Sequence, residues 1–135
     1  MNILKVDHIG VAVKNLDEVL KFYEENLGMH AHGEEINDEQ KVRVGFLPVG
    51  DTEIEFLEST SPDGAIAKFI EKNGEGIQHI ALKVDNLEMA LQELKNKGVK
   101  LIDEQPRIGA GNNKIAFLHP KSTFGTLVEL CEQMK

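Results

Sequence analysis

The stretch His8-Ile-Gly-Val-Ala-Val-Lys-Asn-Leu16 returns 71 residues later as His79-Ile-Ala-Leu-Lys-Val-Asp-Asn-Leu87. A second stretch, Thr52-Glu-Ile-Glu-Phe-Leu-Glu58, returns slightly further out as Thr126-Leu-Val-Glu-Leu-Cys-Glu132. Self-similarity at a nearly constant offset indicates two copies of one supersecondary unit. Each copy places a histidine and glutamates among apolar residues, where burial of a polar group costs free energy unless a partner compensates it.

Hydrophobic periodicity predicts the same order of elements in both copies. Alternating apolar residues indicate a first strand, an asparagine follows as the N-cap of an amphipathic helix, and three more strands complete the unit. The first copy has a predicted strand at 4–13, a helix from Asn15 to Gly28, and strands near 29–35, 41–48 and 51–58. The second has a predicted strand at 77–84, a helix from Asn86 to Gly98, and strands near 99–103, 113–118 and 125–132.

These elements predict an α+β fold of two tandem β-α-β-β-β modules within one domain over residues 1–135. Module one covers about 4–58 and module two about 76–133, and the linker at about 59–75 forms a short amphipathic helix that packs on the domain. One helix over a small sheet leaves an apolar face open. We therefore expect the two sheets to join into a curved, partly open mixed barrel with the helices outside.

Charge and composition exclude several classes of function. The net charge of −8 argues against a general nucleic-acid or membrane-surface binder. No apolar run approaches the roughly 18 residues of a membrane-spanning helix. The start, Met1-Asn-Ile-Leu-Lys5, is predicted to enter a strand directly, so no signal peptide is expected, and Cys131 is the single cysteine. The expected location is the cytoplasm.

Strand alternation places the repeated polar side chains on one face of the predicted sheets. His8 shares its face with Gly10 and Ala12, whereas its bulky neighbours point toward the helices. A single strand histidine or glutamate is most often a satisfied core or surface residue. Two histidines and two carboxylates at repeated positions instead predict a divalent-metal site, which is compatible with Zn²⁺, Co²⁺, Ni²⁺ or Mn²⁺. Its predicted ligands are His8, Glu55, His79 and Glu129.

Longer motifs across nearly the whole chain resemble a known family. The sequence resembles the methylmalonyl-CoA epimerases of the vicinal oxygen chelate superfamily, which also contains glyoxalase I. The motifs that carry the resemblance are Asp7-His-Ile-Gly-Val-Ala-Val13, Gly76-Ile-Gln-His-Ile80, Pro106-Arg-Ile-Gly-Ala-Gly111, Phe117-Leu-His-Pro-Lys-Ser122 and Leu127-Val-Glu-Leu130.

The resemblance implies a metal-dependent epimerisation of (R)- and (S)-methylmalonyl-CoA, by proton abstraction at C2 through a metal-stabilised enolate. It assigns His8, His79 and Glu129 as metal ligands and places the fourth ligand position on Glu55. Glu129 is the leading catalytic base, and Glu55 is the candidate for the opposite face. A second base proposed for the family falls on Val44, which has no acid–base chemistry. The family also implies an acyl-CoA substrate and a homodimer.

Two further motifs are candidate substrate contacts. Gly109 and Gly111 lie in a glycine-rich loop that either covers the substrate or only turns between strands. His119, Lys121 and Ser122 either contact the substrate carboxylate or CoA phosphates or form a polar turn.

Rival functions remain open from the sequence. One is a glyoxalase I-type lactoylglutathione lyase, which two glutamate ligands would suit. Another is a non-catalytic resistance protein that sequesters a small molecule, although the complete His/Glu set argues against it. His30 and His32 share a face of the predicted strand at 29–35, and we interpret them as surface or cleft-rim histidines and not as a second metal site. Cys131 is interpreted as a buried spectator, because no activating base is apparent.

Overall fold

The computed structural model describes residues Met1–Lys135 and contains three helices and eight strands. The helices are α1 (Leu16–Leu27), α2 (Ala65–Asn73) and α3 (Leu87–Asn96), and the strands are β1 (Ile3–Ala12), β2 (Gly33–Asn37), β3 (Val42–Val49), β4 (Thr52–Ser59), β5 (Gly76–Val84), β6 (Arg107–Ile108), β7 (Asn113–Phe117) and β8 (Val128–Gln133). The chain divides into two compact units, residues 9–78 and residues 1–8 with 79–135, so β1 contributes to both. None of the helices combines the length and apolar character needed to span a lipid bilayer.

In the unit of residues 9–78, the strand order is β2-β3-β4, followed by the second half of β1. Strands β3 and β4 are antiparallel, and Phe46 lies opposite Glu55 in their register. The two-residue turn between them uses Gly50 at a φ of 57°, a left-handed conformation that glycine adopts readily. Behind the sheet, α1 packs on a core formed by Val13, Leu16, Leu47 and Phe56.

In the unit of residues 1–8 and 79–135, the first half of β1 is followed by β5, β8, β7 and β6. Strand β8 runs parallel to β5 and antiparallel to β7, so Glu129 lies between Ala81 and Phe117. The core under α3 contains Val84, Leu87, Ala90, Leu91, Ala116, Leu118 and Leu130. Ala81, Ile115 and Cys131 form a separate small cluster. Alternation along each strand therefore separates a helix-packing face from a face that carries Glu129.

Asparagine side chains begin both long helices, as the sequence predicts. The Asn15 side-chain oxygen accepts a hydrogen bond from the Glu18 amide at 3.1 Å, and the Asn86 oxygen accepts one from the Met89 amide at 3.0 Å. Gly28 then ends α1 with a φ of 66°, the left-handed conformation of a C-terminal glycine cap.

The repeated glutamates Glu58 and Glu132 complete these helix starts from a distant strand. Glu58 Oε2 accepts a hydrogen bond from the Leu16 amide at 2.8 Å, and Glu132 Oε1 accepts one from the Leu87 amide at 2.7 Å. The first amides of a helix have no partner inside the helix. One glutamate of each repeat is therefore conserved between the modules for a structural reason.

The predicted strand near 99–103 is wrong. In that segment only Leu101 pairs, in an isolated bridge with Leu118. The Asp103 carboxylate accepts a hydrogen bond from the Phe117 amide at 2.9 Å, and the amides of Ile102 and Asp103 both donate to the Phe117 carbonyl. A side chain thus replaces a ladder partner and ends the pairing. The short strand β6 is the second strand of module two instead.

The predicted strand at 29–35 is also misplaced, because β2 begins only at Gly33. Met29 packs against the core of its unit, and the His32 amide donates to the Phe46 carbonyl without forming a continuous ladder. His30 and His32 therefore lie outside the strand, and the prediction that they share a strand face is wrong.

Candidate metal centre

Three of the four predicted ligands lie together in the unit of residues 1–8 and 79–135. His8 on β1, His79 on β5 and Glu129 on β8 are each at most 5% exposed. The His8 Nε2 atom lies 3.1 Å from His79 Nε2 and 3.3 Å from Glu129 Oε2. The His79 Nε2 atom lies 3.5 Å from Glu129 Oε1. Three residues separated widely in sequence thus direct their ligand atoms to one point.

Burial shifts the protonation of this cluster away from the charged forms. Burial lowers the pKa of His79 to about 3, and repulsion between the protonated forms of His79 and His8 adds to this effect. Burial raises the pKa of Glu129 to about 7, and the electrostatic interactions of Glu129 with His8 and Arg107 oppose part of that rise. At neutral pH, His79 is a neutral imidazole and Glu129 is close to its titration midpoint. Both groups are easily converted to forms that can ligate a metal.

The chemistry of the cluster fits a divalent cation. The three ligand atoms lie within 4.8 Å of one another, and Glu129 Oε2 is buried without a hydrogen-bond partner. A buried polar atom with no partner pays its full desolvation cost. A cation would accept electron pairs from both imidazole nitrogens and from the carboxylate at once. Imidazole and carboxylate donors suit Zn²⁺, Co²⁺, Ni²⁺ and Mn²⁺.

A second carboxylate lies behind His8. Asp7 Oδ2 is 2.8 Å from His8 Nδ1, the ring nitrogen that faces away from the cluster. The hydrogen bond from His8 lowers the pKa of Asp7, against an opposing effect of burial, and the Cys131 thiol also donates to this carboxylate. Cys131 is fully buried. Its thiol therefore supports Asp7, a contact that the interpretation as a spectator does not include.

An aromatic group of β7 and a cationic group of β6 lie near Glu129. The Phe117 ring meets His79 edge-on, with the ring centroids 5.5 Å apart. The Arg107 guanidinium lies 5.8 Å from the centroid of the Phe117 ring, and its Nε is 3.1 Å from Asp103 Oδ1. Phe117 thus restricts the His79 ring, while Arg107 places a positive charge near the buried glutamate.

Glu55, the fourth predicted ligand, belongs to the unit of residues 9–78. It is 3% exposed and lies opposite Phe46, as Glu129 lies opposite Phe117 in the other module. The two glutamates thus occupy equivalent register positions. A role of Glu55 as ligand or base stays a prediction. Val44, at the position of the family's second base, is fully buried on β3.

The predicted substrate loop is a tight turn between β6 and β7. The Gly109 amide donates to the Asn113 carbonyl at 2.8 Å, and a Cβ at Gly109 would lie 2.6 Å from Ile115 Cγ2. Gly111 adopts a φ of 69°. Close approach and backbone conformation therefore account for both glycines, and a contact with substrate stays a prediction.

The residues His119, Lys121 and Ser122 lie in a turn before β8. His119 Nδ1 accepts a hydrogen bond from the Lys121 amide at 3.1 Å, and Ser122 Oγ accepts one from the Lys100 amide at 2.8 Å. Two of these side chains thus stabilise the turn itself. Their contact with a substrate stays a prediction.

His30 and His32 contact two different carboxylates. His30 Nδ1 is 3.5 Å from Glu24 Oε1, and His32 Nε2 pairs with Glu53. Their side chains are 70% and 54% exposed. This arrangement agrees with the interpretation of both as surface histidines.

Sequence reasoning missed Asp7 and Arg107 as neighbours of the site. A signal for Asp7 was present, because it directly precedes His8 whereas Gln78 precedes the repeated His79. Arg107 stands inside a motif that carries the family resemblance, but its approach to Phe117 depends on contacts that periodicity does not report.

Comparison with known proteins assigns the family. Residues 7–117 match the glyoxalase/bleomycin resistance protein/dioxygenase superfamily. The chain is 43% identical over 128 residues to the uncharacterized protein YqjC of Bacillus subtilis strain 168, covering 95% of this chain and 91% of that protein. It is 37% identical over 131 residues to the mitochondrial methylmalonyl-CoA epimerase of Bos taurus, covering 96% of this chain and 74% of that protein.

A solved structure supports the same assignment. A Streptomyces coelicolor methylmalonyl-CoA epimerase variant, in complex with 2-nitronate-propionyl-CoA, superposes with a TM-score of 0.92 at 35% identity, covering 98% of this chain and 96% of that one. The chain therefore belongs to the glyoxalase/bleomycin resistance protein/dioxygenase superfamily, and within it to the methylmalonyl-CoA epimerase family of enzymes. The predicted family and the predicted α+β glyoxalase-like fold are both confirmed.

Proposed function

We propose that this protein interconverts (R)- and (S)-methylmalonyl-CoA by removing a proton from C2 and returning one to the opposite face. A methylmalonyl-CoA epimerase aligns over nearly the whole chain, and a similar solved structure contains a bound acyl-CoA analogue. The observation that carries the proposal is the buried Glu129 carboxylate, whose pKa burial raises to about 7, beside two imidazole nitrogens.

Glu129 is the proposed base. A general base works best when its pKa is near the operating pH, because it is then both available and sufficiently basic. Glu129 Oε2 has no hydrogen-bond partner, so it is the atom that we assign to receive the C2 proton. A divalent cation held by His8, His79 and Glu129, with Glu55 as the fourth ligand, would supply a Lewis acid that acidifies the C2–H bond.

Glu55 is the proposed second acid–base group. It is the buried carboxylate of module one and has the register position of Glu129, whereas Val44 offers no ionisable group. Return of a proton to the opposite face requires an acid that differs from the base. If Glu55 is also a ligand of the cation, that bond must be weak enough for its carboxylate to exchange a proton during turnover.

The experiment that tests the proposed function is proton–deuterium exchange at C2 of methylmalonyl-CoA in D₂O. Chelator-treated protein and protein with added Co²⁺ are compared, and the R/S ratio is followed in parallel. We expect exchange with Co²⁺ together with loss of stereochemical purity. No exchange by protein that demonstrably binds Co²⁺ would contradict the epimerase proposal.

The same preparation distinguishes the rival functions. Glu55 as a second carboxylate is the feature that favours a glyoxalase I-type lyase, so the hemithioacetal of methylglyoxal and glutathione is the second substrate. Turnover of that adduct without exchange at C2 would assign the lyase. Binding of a small molecule without turnover of either substrate would favour a sequestering protein.

We also propose a homodimer. The first half of β1 exposes apolar side chains, with Ile3 49% and Leu4 56% accessible in the single chain. Light scattering coupled to size-exclusion chromatography of the full chain should give twice the monomer mass of 15.0 kDa. A single-chain mass at micromolar concentration would contradict this expectation.

A further inference from the structure

Hydrogen bonds connect His8 of the candidate metal centre to two further side chains, Asp7 and Cys131. Asp7 Oδ2 lies 2.8 Å from His8 Nδ1, and the Cys131 thiol donates to the same carboxylate. The Asp7 side chain is only 17% exposed, and Cys131 is fully buried. The proposed mechanism makes no use of Asp7 or Cys131.

The hydrogen bond to Asp7 determines which nitrogen of His8 carries the proton. An ionised carboxylate only accepts hydrogen bonds, so His8 Nδ1 must be the donor. A neutral imidazole carries a single N–H, and its Nε2 atom is then left with a free electron pair. This electron pair points into the cluster, where Nε2 lies 3.3 Å from Glu129 Oε2. A neutral histidine without such a partner in water favours the opposite tautomer.

We propose that Asp7 is a positioning residue of the metal centre, which holds His8 in the Nδ1–H tautomer so that Nε2 is ready to bind a cation. The Cys131 thiol orients the Asp7 carboxylate by a second hydrogen bond. This inference rests on the proposed metal-dependent function. Partners of this kind fix the ring orientation and raise the basicity of a ligating histidine, and their loss typically weakens metal affinity about 10–100-fold.

The two modules differ at this point. Gln78 occupies the position before His79, and an amide at that position lacks the charge of Asp7. The His79 ring meets Phe117 edge-on, and its centroid is 5.2 Å from that of His8. Carboxylate support is therefore assigned to His8, while aromatic packing restricts His79.

The first test reads the His8 tautomer directly, without a metal and without turnover. Long-range ¹H–¹⁵N correlation spectra of metal-free protein at pH 7.5 report which ring nitrogen is protonated. We expect His8 in the wild-type chain to carry its proton on Nδ1, and Asp7→Ala to shift the proton toward Nε2. A wild-type His8 protonated on Nε2 would overturn the proposal.

The second test measures binding of Zn²⁺ alone by titration calorimetry. Asp7→Ala should weaken Zn²⁺ about 10–100-fold, and Asp7→Asn should weaken it less because the amide oxygen still accepts a hydrogen bond. Cys131→Ser keeps a donor and should match the wild type. The matched control is Asp85→Asn, an exposed aspartate in the same unit that is bonded to Asn2. It should leave Zn²⁺ affinity unchanged.

Thermal unfolding and near-ultraviolet circular dichroism must show that each variant is folded. Folded Asp7→Ala protein with wild-type Zn²⁺ affinity would overturn the proposal, as would a wild-type chain that binds no Zn²⁺. If the wild-type protein shows no C2 exchange but Asp7→Ala weakens Zn²⁺ binding as expected, only the proposed reaction is rejected. Exchange by the wild type with no Asp7 effect would reject only the positioning role.

Discussion

The two modules share one scaffold but differ in the polar groups attached to it. In module one, Arg43 Nη2 lies 2.8 Å from Asp17 Oδ1 at the start of α1, and the guanidinium also contacts Glu34 and Glu58. In module two, Lys114 has the equivalent position. Its Nζ atom lies 2.7 Å from Glu88 Oε1 at the start of α3 and 3.7 Å from Glu132 Oε1. Both arrangements tie a strand cation to a helix start. Repetition of a polar residue can therefore reflect structure alone.

The four predicted ligands are divided unequally between the two compact units. Module two contributes His79 and Glu129, and His8 from β1 joins them in the same compact unit. Glu55 is buried in the other unit at the register position of Glu129. Equivalent positions thus have equivalent burial but need not have equal chemical roles.

The largest expected effect separates the two buried glutamates. Glu129→Gln removes the proposed base and should lower turnover about 10²–10⁴-fold, the usual contribution of general base catalysis. Glu55→Gln should also lower turnover. Its loss of Zn²⁺ affinity should be smaller than its loss of turnover, because the amide oxygen remains a possible ligand. Parallel measurements of kcat and Zn²⁺ affinity check both variants. Equal loss of affinity and turnover in Glu55→Gln would count against its role as a base.

The next effect is the pH dependence of metal binding. Because burial raises the pKa of Glu129 to about 7, the metal-free protein holds a proton on Glu129 below that pH, and a cation must displace it. His79 needs no proton loss, since its pKa is lowered to about 3. Zn²⁺ affinity should fall about tenfold per pH unit below 7 and level off above it.

Calorimetry in buffers of different ionisation enthalpy counts the protons released on Zn²⁺ binding. Glu129→Gln cannot hold this proton, so its weaker affinity should depend less on pH between 5 and 7. An unchanged slope in that variant would assign the titration to another group.

A smaller and symmetric effect should appear at the helix starts. Glu58→Ala and Glu132→Ala each leave a first-turn amide without its side-chain acceptor, the Leu16 amide or the Leu87 amide. Loss of a partner for a partly buried donor costs about 1–3 kcal/mol of unfolding free energy. Urea unfolding of the two variants measures it. Similar losses would confirm that the modules share this device, and a loss in only one would show that they do not.

The smallest expected effect concerns the strand cations. Arg43→Ala removes contacts with three carboxylates and Lys114→Ala removes contacts with two, all on the protein surface. Surface ion pairs contribute little and are screened by salt. Both variants should lower the urea midpoint less than the glutamate variants, Arg43→Ala more than Lys114→Ala. High salt should reduce the difference, and a salt-independent loss would indicate packing of the side-chain stems.

Much of the fold follows from local pattern. Alternation with a period of two identifies β1 and β5, asparagine caps begin α1 and α3, and the 71-residue offset duplicates the unit. The prediction of a strand at 99–103 failed because the Asp103 side chain, and not a backbone carbonyl, accepts the hydrogen bond of the Phe117 amide. That substitution depends on residues far apart in sequence, so a local period does not reveal it.

The sequence by itself determined the repeated architecture and the residues that form the cluster, because strand alternation places His8, His79 and Glu129 on equivalent faces. Only the tertiary structure decided which glutamate of each repeat caps a helix, since Glu58 and Glu132 reach amides more than 40 residues away. It also decided the shifted pKa of Glu129 and the contact between Asp7 and His8. Desolvation and hydrogen-bond geometry depend on all the groups packed around a side chain, which no local pattern encodes.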